Sequence, residues 1–199
     1  MTALRRSATA TTPGRRAAPA GRNRVRIIAG RWRSRLVRFP PAANLRPTPD
    51  RVRETLFNWL GQRLDGLACV DLFAGSGALG FEALSRGAAR VVMVESDRRI
   101  ALALRDSAHS LDAVEAEVVE GDALKYLERS SESFDLAFVD PPYASDLAAR
   151  AIEKLPARLN PGARVYVESS APLDLPAPWK ALRRDRAGAV RYALYGLER

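Results

Sequence analysis

Short apolar runs alternate with helical segments through most of this chain. The predicted strands begin at residues 68, 90, 116, 134 and 164, and each run is bounded by polar or glycine-containing positions. The predicted helices span residues 81–85, 97–110, 122–129 and 145–155. Residues 183–186 and 190–197 predict a closing hairpin around Gly188. Alternating strands and helices are typical of a doubly wound α/β sheet.

The segment before this alternation has two parts. Residues 25–39 predict two short strands around a turn that contains Gly30, and Pro40 and Pro41 end this unit. Residues 1–22 hold almost no large apolar side chain, so disorder is expected there. A transit peptide shares such an arginine-rich start, but Pro and Gly interrupt any amphipathic face. The predicted organisation is a disordered basic tail (1–23), a β-hairpin (24–44) and a main domain (45–199).

A helix is predicted between the hairpin and the main domain. Thr48 fits the N-cap, followed by Pro49 and Asp50 in the first turn, and Gly61 fits the end of the helix. One face of this helix is apolar, and it consists of Val52, Leu56, Trp59 and Leu60. The arginines near the helix are therefore expected to face solvent or a ligand, and they are Arg46, Arg51 and Arg53.

The positive charge is concentrated at the N-terminus. Twelve arginines precede the first acidic residue, Asp50, while the whole chain carries a formal charge of +9. A basic block of this kind is typical of proteins that bind a polyanion. Trp32 lies between Arg31 and Arg33 near the predicted hairpin tip, where it can stack on an unpaired base or simply cover the core. The charge favours contact with nucleic acid.

A glycine-rich loop follows the first strand of the main domain. Gly75, Gly77 and Gly80 form a Gly-x-Gly-x-x-Gly pattern, and Glu95 ends the next strand. Such glycines let the backbone approach a nucleoside ligand, and an acid after the second strand is placed to bind a ribose. Asp71 repels a pyrophosphate but attracts a cationic sulfonium group. With Asp122 on the adenine amine, this set fits S-adenosylmethionine.

A second polar corner follows the strand that begins at Phe134. Asp140 is followed by Pro141 and Pro142, which fix the backbone and leave carbonyl groups without strand partners. Tyr143 adds an aromatic face beside them. A carboxylate, a carbonyl and a ring together suit a planar base with an exocyclic amine. The same residues also fit an ordinary proline-rich turn, and the glycine-rich loop favours the base site.

Composition excludes several other classes. One cysteine, Cys69, rules out a disulfide framework, and one histidine and one cysteine give no zinc site. His109, in a predicted helix without a partner, is expected to be a surface side chain. No metal is therefore expected. The chain has no apolar run of membrane-spanning length and no secretory signal, so a cytoplasmic location is expected. A monomer is also expected.

These motifs, in this order, resemble class I methyltransferases that modify exocyclic amines. More narrowly, residues 26–30, 45–48, 50–58 and 82–86 resemble the bacterial 16S ribosomal RNA guanine-N2 methyltransferase family. The likeness runs from about Val25 to the C-terminus. It implies a Rossmann-like, mostly parallel seven-stranded sheet with an antiparallel C-terminal strand. It also implies S-adenosyl-L-methionine as cofactor and a guanine of 16S ribosomal RNA in the small ribosomal subunit as target.

The residues and the resemblance together assign three sets. The predicted catalytic residues are Asp140, Pro141 and Tyr143. The predicted cofactor-binding residues are Asp71, Phe73, Ala74, Gly75, Ser76, Gly77, Glu95, Ser96, Asp122, Ala123 and Asp140. The predicted RNA-binding residues are Arg24, Arg26, Arg31, Trp32, Arg33, Arg35, Arg46, Arg51 and Arg53.

Three alternatives remain at this point. An adenine-N6 DNA methyltransferase uses the same loop chemistry, but no separate DNA-reading domain is evident. A protein-glutamine methyltransferase usually carries Asn in place of Asp140. A non-catalytic RNA-binding assembly factor would have a degenerate cofactor loop, and the loop here is intact.

Overall fold

Two sheets and five α-helices make up the chain in a computed structural model that describes residues 23–41, 47–142, 145–170 and 174–198. The strands are β1 (Arg24–Arg26), β2 (Leu36–Arg38), β3 (Ala68–Asp71), β4 (Arg90–Glu95), β5 (Ala116–Glu120), β6 (Phe134–Val139), β7 (Leu159–Ser169), β8 (Trp179–Ala187) and β9 (Val190–Leu197). The helices are α1 (Asp50–Trp59), α2 (Ala78–Ser85), α3 (Arg98–Ser110), α4 (Ala123–Arg129) and α5 (Leu147–Lys154), with a 3-10 turn at Leu155–Arg158.

The main sheet has seven strands in the order β5-β4-β3-β6-β7-β9-β8. The first five strands of this order are parallel, and β9 is antiparallel to both β7 and β8. The chain winds outward from β3 in one direction through β4 and β5, then returns to the other side of β3 with β6. The predicted sheet type is confirmed. Ligands of such sheets bind at the carboxyl ends of the strands where the winding reverses, here between β3 and β6.

Both faces of the sheet are buried, which explains the continuous apolar runs in its central strands. Val70, Val92 and Val94 belong to a core on one face, while Cys69 and Met93 belong to a core on the other face. Burial raises the pKa of the Cys69 thiol to about 12. This thiol is therefore protonated and acts as a small apolar side chain. No helix in the described part of the chain is long and apolar enough to cross a membrane.

The N-terminal hairpin is shorter than predicted and packs closely on α2. Gly30 lies so near this helix that a side-chain carbon there would be 1.8 Å from the Ser85 carbonyl oxygen. The Arg31 amide donates to that same oxygen at 2.8 Å. Trp32, predicted near the hairpin tip, is only 8% exposed because this docking carries its ring into the core. Of the two interpretations of Trp32, the structure therefore favours the one in which its ring covers the core.

A buried carboxylate joins the hairpin, α1 and α2. Glu82 accepts hydrogen bonds from the amides of Ile28 and Ala29 at 2.8 and 3.0 Å. It also pairs with Arg53 at 3.3 Å and with Arg86 at 2.8 Å. Arg53 was predicted to face solvent or RNA, but its side chain is fully buried. Arg53 is therefore part of this ionic network and does not contact RNA in this arrangement.

Local boundaries differ from the predictions at two helix starts. Thr48 was expected to cap α1, but Pro49 occupies the N-cap position and no side chain caps the helix. The Thr48 hydroxyl points instead toward the sheet, where it has another partner described below. α2 begins at Ala78, earlier than predicted, because Gly77 adopts the left-handed conformation (φ 75°) and turns the loop directly into the helix.

Candidate active site

A cavity of about 1080 Å³ lies at the carboxyl ends of the parallel strands. Segments that follow β3, β4 and β5 form one half of its wall, and they include Phe73–Ser76, Glu95–Asp97 and Gly121–Ala123. Segments that follow β6 and β7 form the other half, together with residues 47–49 and the β8–β9 turn. The cavity therefore spans the point where the winding of the sheet reverses.

Backbone hydrogen bonds hold the glycine-rich loop in the first half of the cavity. The Ala74 amide donates to the Val94 carbonyl at 3.0 Å, which ties the loop to β4. The Gly77 amide donates to Ala74 at 2.7 Å, which closes a tight turn. A side-chain carbon at Gly77 would lie 2.6 Å from the Phe81 ring. Only glycine fits this position. Gly77 thus shapes the turn, while Phe73, Ala74, Gly75 and Ser76 of the same loop line the cavity.

Glu95 lies at the end of β4 and its carboxylate is held by two backbone amides. One oxygen accepts from Gly75 at 2.9 Å and the other from Asp97 at 2.7 Å. A carboxylate has about four acceptor positions, so further acceptor capacity remains for ligand hydroxyl groups. Ser96, beside it, is exposed and also lines the cavity.

Asp71 is the last residue of β3 and is almost fully buried. Its Oδ2 accepts a hydrogen bond from the Gly80 amide at 3.2 Å. Burial raises the pKa of this carboxyl to about 7, and the negative charges of Asp140 and Glu95 contribute in the same direction. A positive charge in the cavity would favour the ionised carboxylate and so lower the pKa of Asp71. The site therefore favours a cationic ligand.

Asp122 occupies the N-cap of α4 at the end of the cavity next to β5. One oxygen accepts from the Lys125 amide at 2.9 Å. The residue is exposed, and Ala123 beside it is buried. Both line the cavity. Asp71, Glu95 and Asp122, at or just after the carboxyl ends of β3, β4 and β5, therefore line the same cavity.

Asp140 follows β6 and faces the second half of the cavity. Its Oδ2 accepts a hydrogen bond from the Thr48 hydroxyl at 3.3 Å. Burial raises the pKa of Asp140, while the Thr48 hydrogen bond opposes this effect. Pro141 and Pro142 also line the cavity. Tyr143, the predicted stacking residue, lies outside the described residues.

The remaining predicted RNA-binding residues surround the hairpin and α1. The exposed arginines among them are Arg24, Arg26, Arg31, Arg33, Arg35 and Arg51. Arg31 makes two hydrogen bonds to Glu115, at 2.9 and 2.7 Å, and its guanidinium lies 4.1 Å from the Trp32 ring centre. Arg26 pairs with Asp50 at 3.2 Å. Arg46, residues 1–22 and residues 42–44 lie outside the described residues.

Comparison with known proteins identifies the family. A family model described as conserved hypothetical protein 95 matches residues 25–196. The chain is 43% identical over 183 residues to ribosomal RNA small subunit methyltransferase D of Escherichia coli, covering 89% of this chain and 92% of the relative. The Haemophilus influenzae protein of the same name is 42% identical, with 89% and 96% covered. The chain belongs to the small subunit rRNA methyltransferase D family.

A solved structure supports the same assignment. An Escherichia coli protein described as a candidate methyltransferase superposes with a TM-score of 0.80 at 43% identity, covering 88% of this chain and 98% of that protein. The resemblance drawn from the motifs is thus confirmed at the level of the family. The predicted Rossmann-like methyltransferase fold is confirmed by the same superposition.

The structure of this methyltransferase D family member also contains cavity residues that the sequence did not single out. Thr48 and Glu168 line the second half of the cavity beside Asp140. Glu168 is near the end of β7 and only 3% of it is exposed. Its position near the end of a parallel strand could have indicated this role, since Asp71 and Glu95 are also acids at the ends of parallel strands. Among the described residues, no group of three or more His, Cys, Asp or Glu side chains is arranged to hold a metal ion.

Proposed function

We propose that this chain transfers a methyl group from S-adenosylmethionine to the exocyclic N2 amine of a guanine in 16S ribosomal RNA, in the small ribosomal subunit. The observation that carries this proposal is the shared cavity of the glycine-rich loop after β3 and the Asp140 corner after β6. The two strands are direct neighbours in the sheet. A donor in the first half and a base in the second half would therefore meet at this junction.

The first half of the cavity fits S-adenosylmethionine in charge and shape. Glu95 has acceptor capacity for the ribose hydroxyls, Asp122 lies where it can accept from the adenine amine, and Asp71 lies toward the methionine end. The backbone of Phe73, Ala74, Gly75 and Ser76 would pack along the ligand, in a turn that Gly77 closes. When bound, this cofactor supplies an electrophilic methyl group on a positively charged sulfur. That positive charge would favour the ionised form of the Asp71 carboxyl, whose pKa is raised by burial.

The second half fits a base with an exocyclic amine. The lone pair of a guanine N2 amine is delocalised into the ring, so the free amine is a poor nucleophile. The Asp140 carboxylate and the Pro141 carbonyl would accept hydrogen bonds from its two N–H groups, return electron density to nitrogen and fix its direction. As the nitrogen bonds to the methyl carbon and the carbon–sulfur bond breaks, the Asp140 carboxylate would take the proton that the amine releases. Positioning and fixed electrostatics of this kind account for large parts of many enzymatic rates. Thr48 holds the Asp140 carboxylate in place, and Tyr143 is proposed to stack on the base.

The exposed arginines of the hairpin and α1 would bind the RNA backbone. The hairpin arginines lie before Asp50, in a segment that has no acidic residue, and Arg51 directly follows Asp50. Phosphate contacts position a nucleic acid without reading its sequence, so these arginines would orient the target toward the cavity. The names of the relatives, which specify the small subunit, favour ribosomal RNA over DNA.

The test is transfer of a tritiated methyl group from S-adenosylmethionine to small subunits, free 16S RNA, DNA and protein, followed by nucleoside analysis. The expected product is N2-methylguanosine from the RNA of the small subunit. Asp140→Asn should lose at least about a hundredfold in kcat while cofactor binding changes little. Asp146→Asn, at an exposed acid outside the cavity, is the matched control. Label in adenine, DNA or protein would contradict the proposal.

A further inference from the structure

Glu168 and Asp140 occupy equivalent places on adjacent strands. The parallel pairing of β6 with β7 aligns Val139 with Val167, so the next residues on each strand are Asp140 and Glu168. Both line the second half of the cavity. The base that Asp140 is proposed to hold would therefore meet a second carboxyl group on the side of β7.

The Glu168 side chain is held rigidly. The Tyr166 hydroxyl donates to Glu168 Oε1 at 2.9 Å, and the Tyr166 ring is fully buried against Phe138 and Tyr192. Because Oε1 already accepts this hydrogen, any proton on the carboxyl is carried by Oε2. When Glu168 is ionised, Oε2 is therefore an acceptor of fixed direction, whereas a protonated Oε2 is a donor instead.

A purely structural role does not explain an acid at this position. Burial raises the pKa of Glu168, and the charges of Asp140 and Asp71 raise it further. An acid here is therefore costly to ionise, whereas a glutamine would satisfy the Tyr166 hydroxyl without that cost. Buried acids with strongly raised pKa values are concentrated at functional sites.

The chemistry of the bases shows what a second acceptor can select. In guanine the N2 amine is flanked by the N1–H group, so two hydrogen-bond donors lie side by side. In adenine the N6 amine is flanked by the N1 lone pair, and in cytosine the N4 amine is flanked by the N3 lone pair. Two adjacent carboxylates complement the guanine edge, while in adenine or cytosine a lone pair would face an oxygen of the second carboxylate.

We propose that ionised Glu168 accepts a hydrogen bond from the N1–H group of the target guanine and so selects guanine over bases whose amine is flanked by a lone pair. This inference rests on the proposed function and adds the group that reads the base. Tyr166 is the residue that positions Glu168. Asp140 binds the amine that reacts, and Glu168 binds the neighbouring imino group.

The experiment compares guanine with 2,6-diaminopurine, which keeps the N2 amine but has a lone pair at N1. Small subunits are reconstituted with 16S RNA that carries either base at the mapped target position. The wild-type chain is expected to prefer guanine by about tenfold to a hundredfold in kcat/KM. Glu168→Leu should reduce kcat/KM for guanine by about that factor and leave 2,6-diaminopurine within about threefold. Calorimetry with S-adenosylmethionine confirms that the variant is folded.

Glu168→Gln keeps the inference testable if the leucine variant does not fold. Its amide can turn the NH2 group toward the N1 lone pair, so the preference for guanine should narrow by at least about fivefold. Equal losses on both bases in Glu168→Leu, or an unchanged preference in either variant, would overturn the role of Glu168. A wild-type chain that methylates neither base would instead overturn the proposed function itself. The two failures are distinguishable, because the first is a change in preference between variants and the second is a loss of all wild-type activity.

Discussion

The Thr48 hydroxyl donates to the Asp140 carboxylate at 3.3 Å across a sequence separation of 92 residues. Thr48 precedes α1, and its carbonyl accepts a hydrogen bond from the buried Arg53 side chain at 3.2 Å. The segment that joins the hairpin to α1 is thus connected directly to the corner after β6. This connection gives the N-terminal segment a role in the proposed chemistry beyond contact with RNA.

Thr48→Val should lower kcat by about tenfold with little change in cofactor affinity, because it removes a hydrogen bond to a charged group. That hydrogen bond lowers the pKa of Asp140, so its loss should raise the pKa further. As the pH is lowered, the variant should therefore lose activity at a higher pH than the wild type does, because Asp140 must be ionised to act. Rate profiles from about pH 5 to about pH 8.5 measure this shift. Thr55→Val, which removes an exposed hydroxyl bonded to the Arg51 carbonyl, should leave the profile unchanged.

Asp71 should make the cofactor-free protein less stable as the pH rises. Its pKa is raised from the ordinary value of 3.8 to about 7, so the folded state holds this proton more tightly than the unfolded state does. The stabilisation is fully present below about pH 4 and is lost as the pH rises toward 7. The free energy of unfolding of Asp71→Asn, measured with denaturant, should therefore increase relative to wild type over this range. A constant difference would contradict the raised pKa.

Cofactor binding near pH 7 should release protons. A sulfonium cation in the cavity lowers the pKa of Asp71, which then loses the proton it holds in the free protein. Calorimetry in buffers of different ionisation enthalpy measures the number released. S-adenosylhomocysteine, which has a neutral sulfur, should release fewer protons than S-adenosylmethionine. Asp71→Asn should reduce the difference between the two ligands.

Arg53→Met should destabilise the protein by about 3–5 kcal/mol, because Glu82 would lose one of its two buried cationic partners. Chemical denaturation measures this change. Arg63→Met is the control, since Arg63 and its partner Asp65 are both exposed and their ion pair contributes little. Equal stability of the two variants would show that the Glu82 network does not hold the hairpin and α1 to α2.

The sequence predicts the central sheet well because burial on both faces leaves a direct signal in the apolar runs. β4, β5 and β6 begin at the predicted residues 90, 116 and 134. Glu95, Asp122 and Asp140, at or just after the carboxyl ends of these strands, line one cavity. Strand ends can be located from local composition. The parallel order of the strands then brings their ends together.

The errors concern residues whose environment depends on distant partners. Trp32 is buried because Gly30 lets the hairpin approach α2, and no local pattern contains that contact. Arg53 is buried because its partner Glu82 lies 29 residues away on another helix. Glu168 becomes a cavity residue only when β7 pairs with β6. Each of these contacts joins separate elements, so the order of residues alone does not reveal it.

The close packing at Gly30 has a consequence for protein engineering. The hairpin amides and two arginines share one carboxylate on α2, and the backbone of Gly30 touches the end of that helix. The hairpin is therefore not a detachable module. A chimera that takes its N-terminal arm from a relative must inherit the matching helix surface, or the Glu82 carboxylate on α2 will lose the two hairpin amides that bind it.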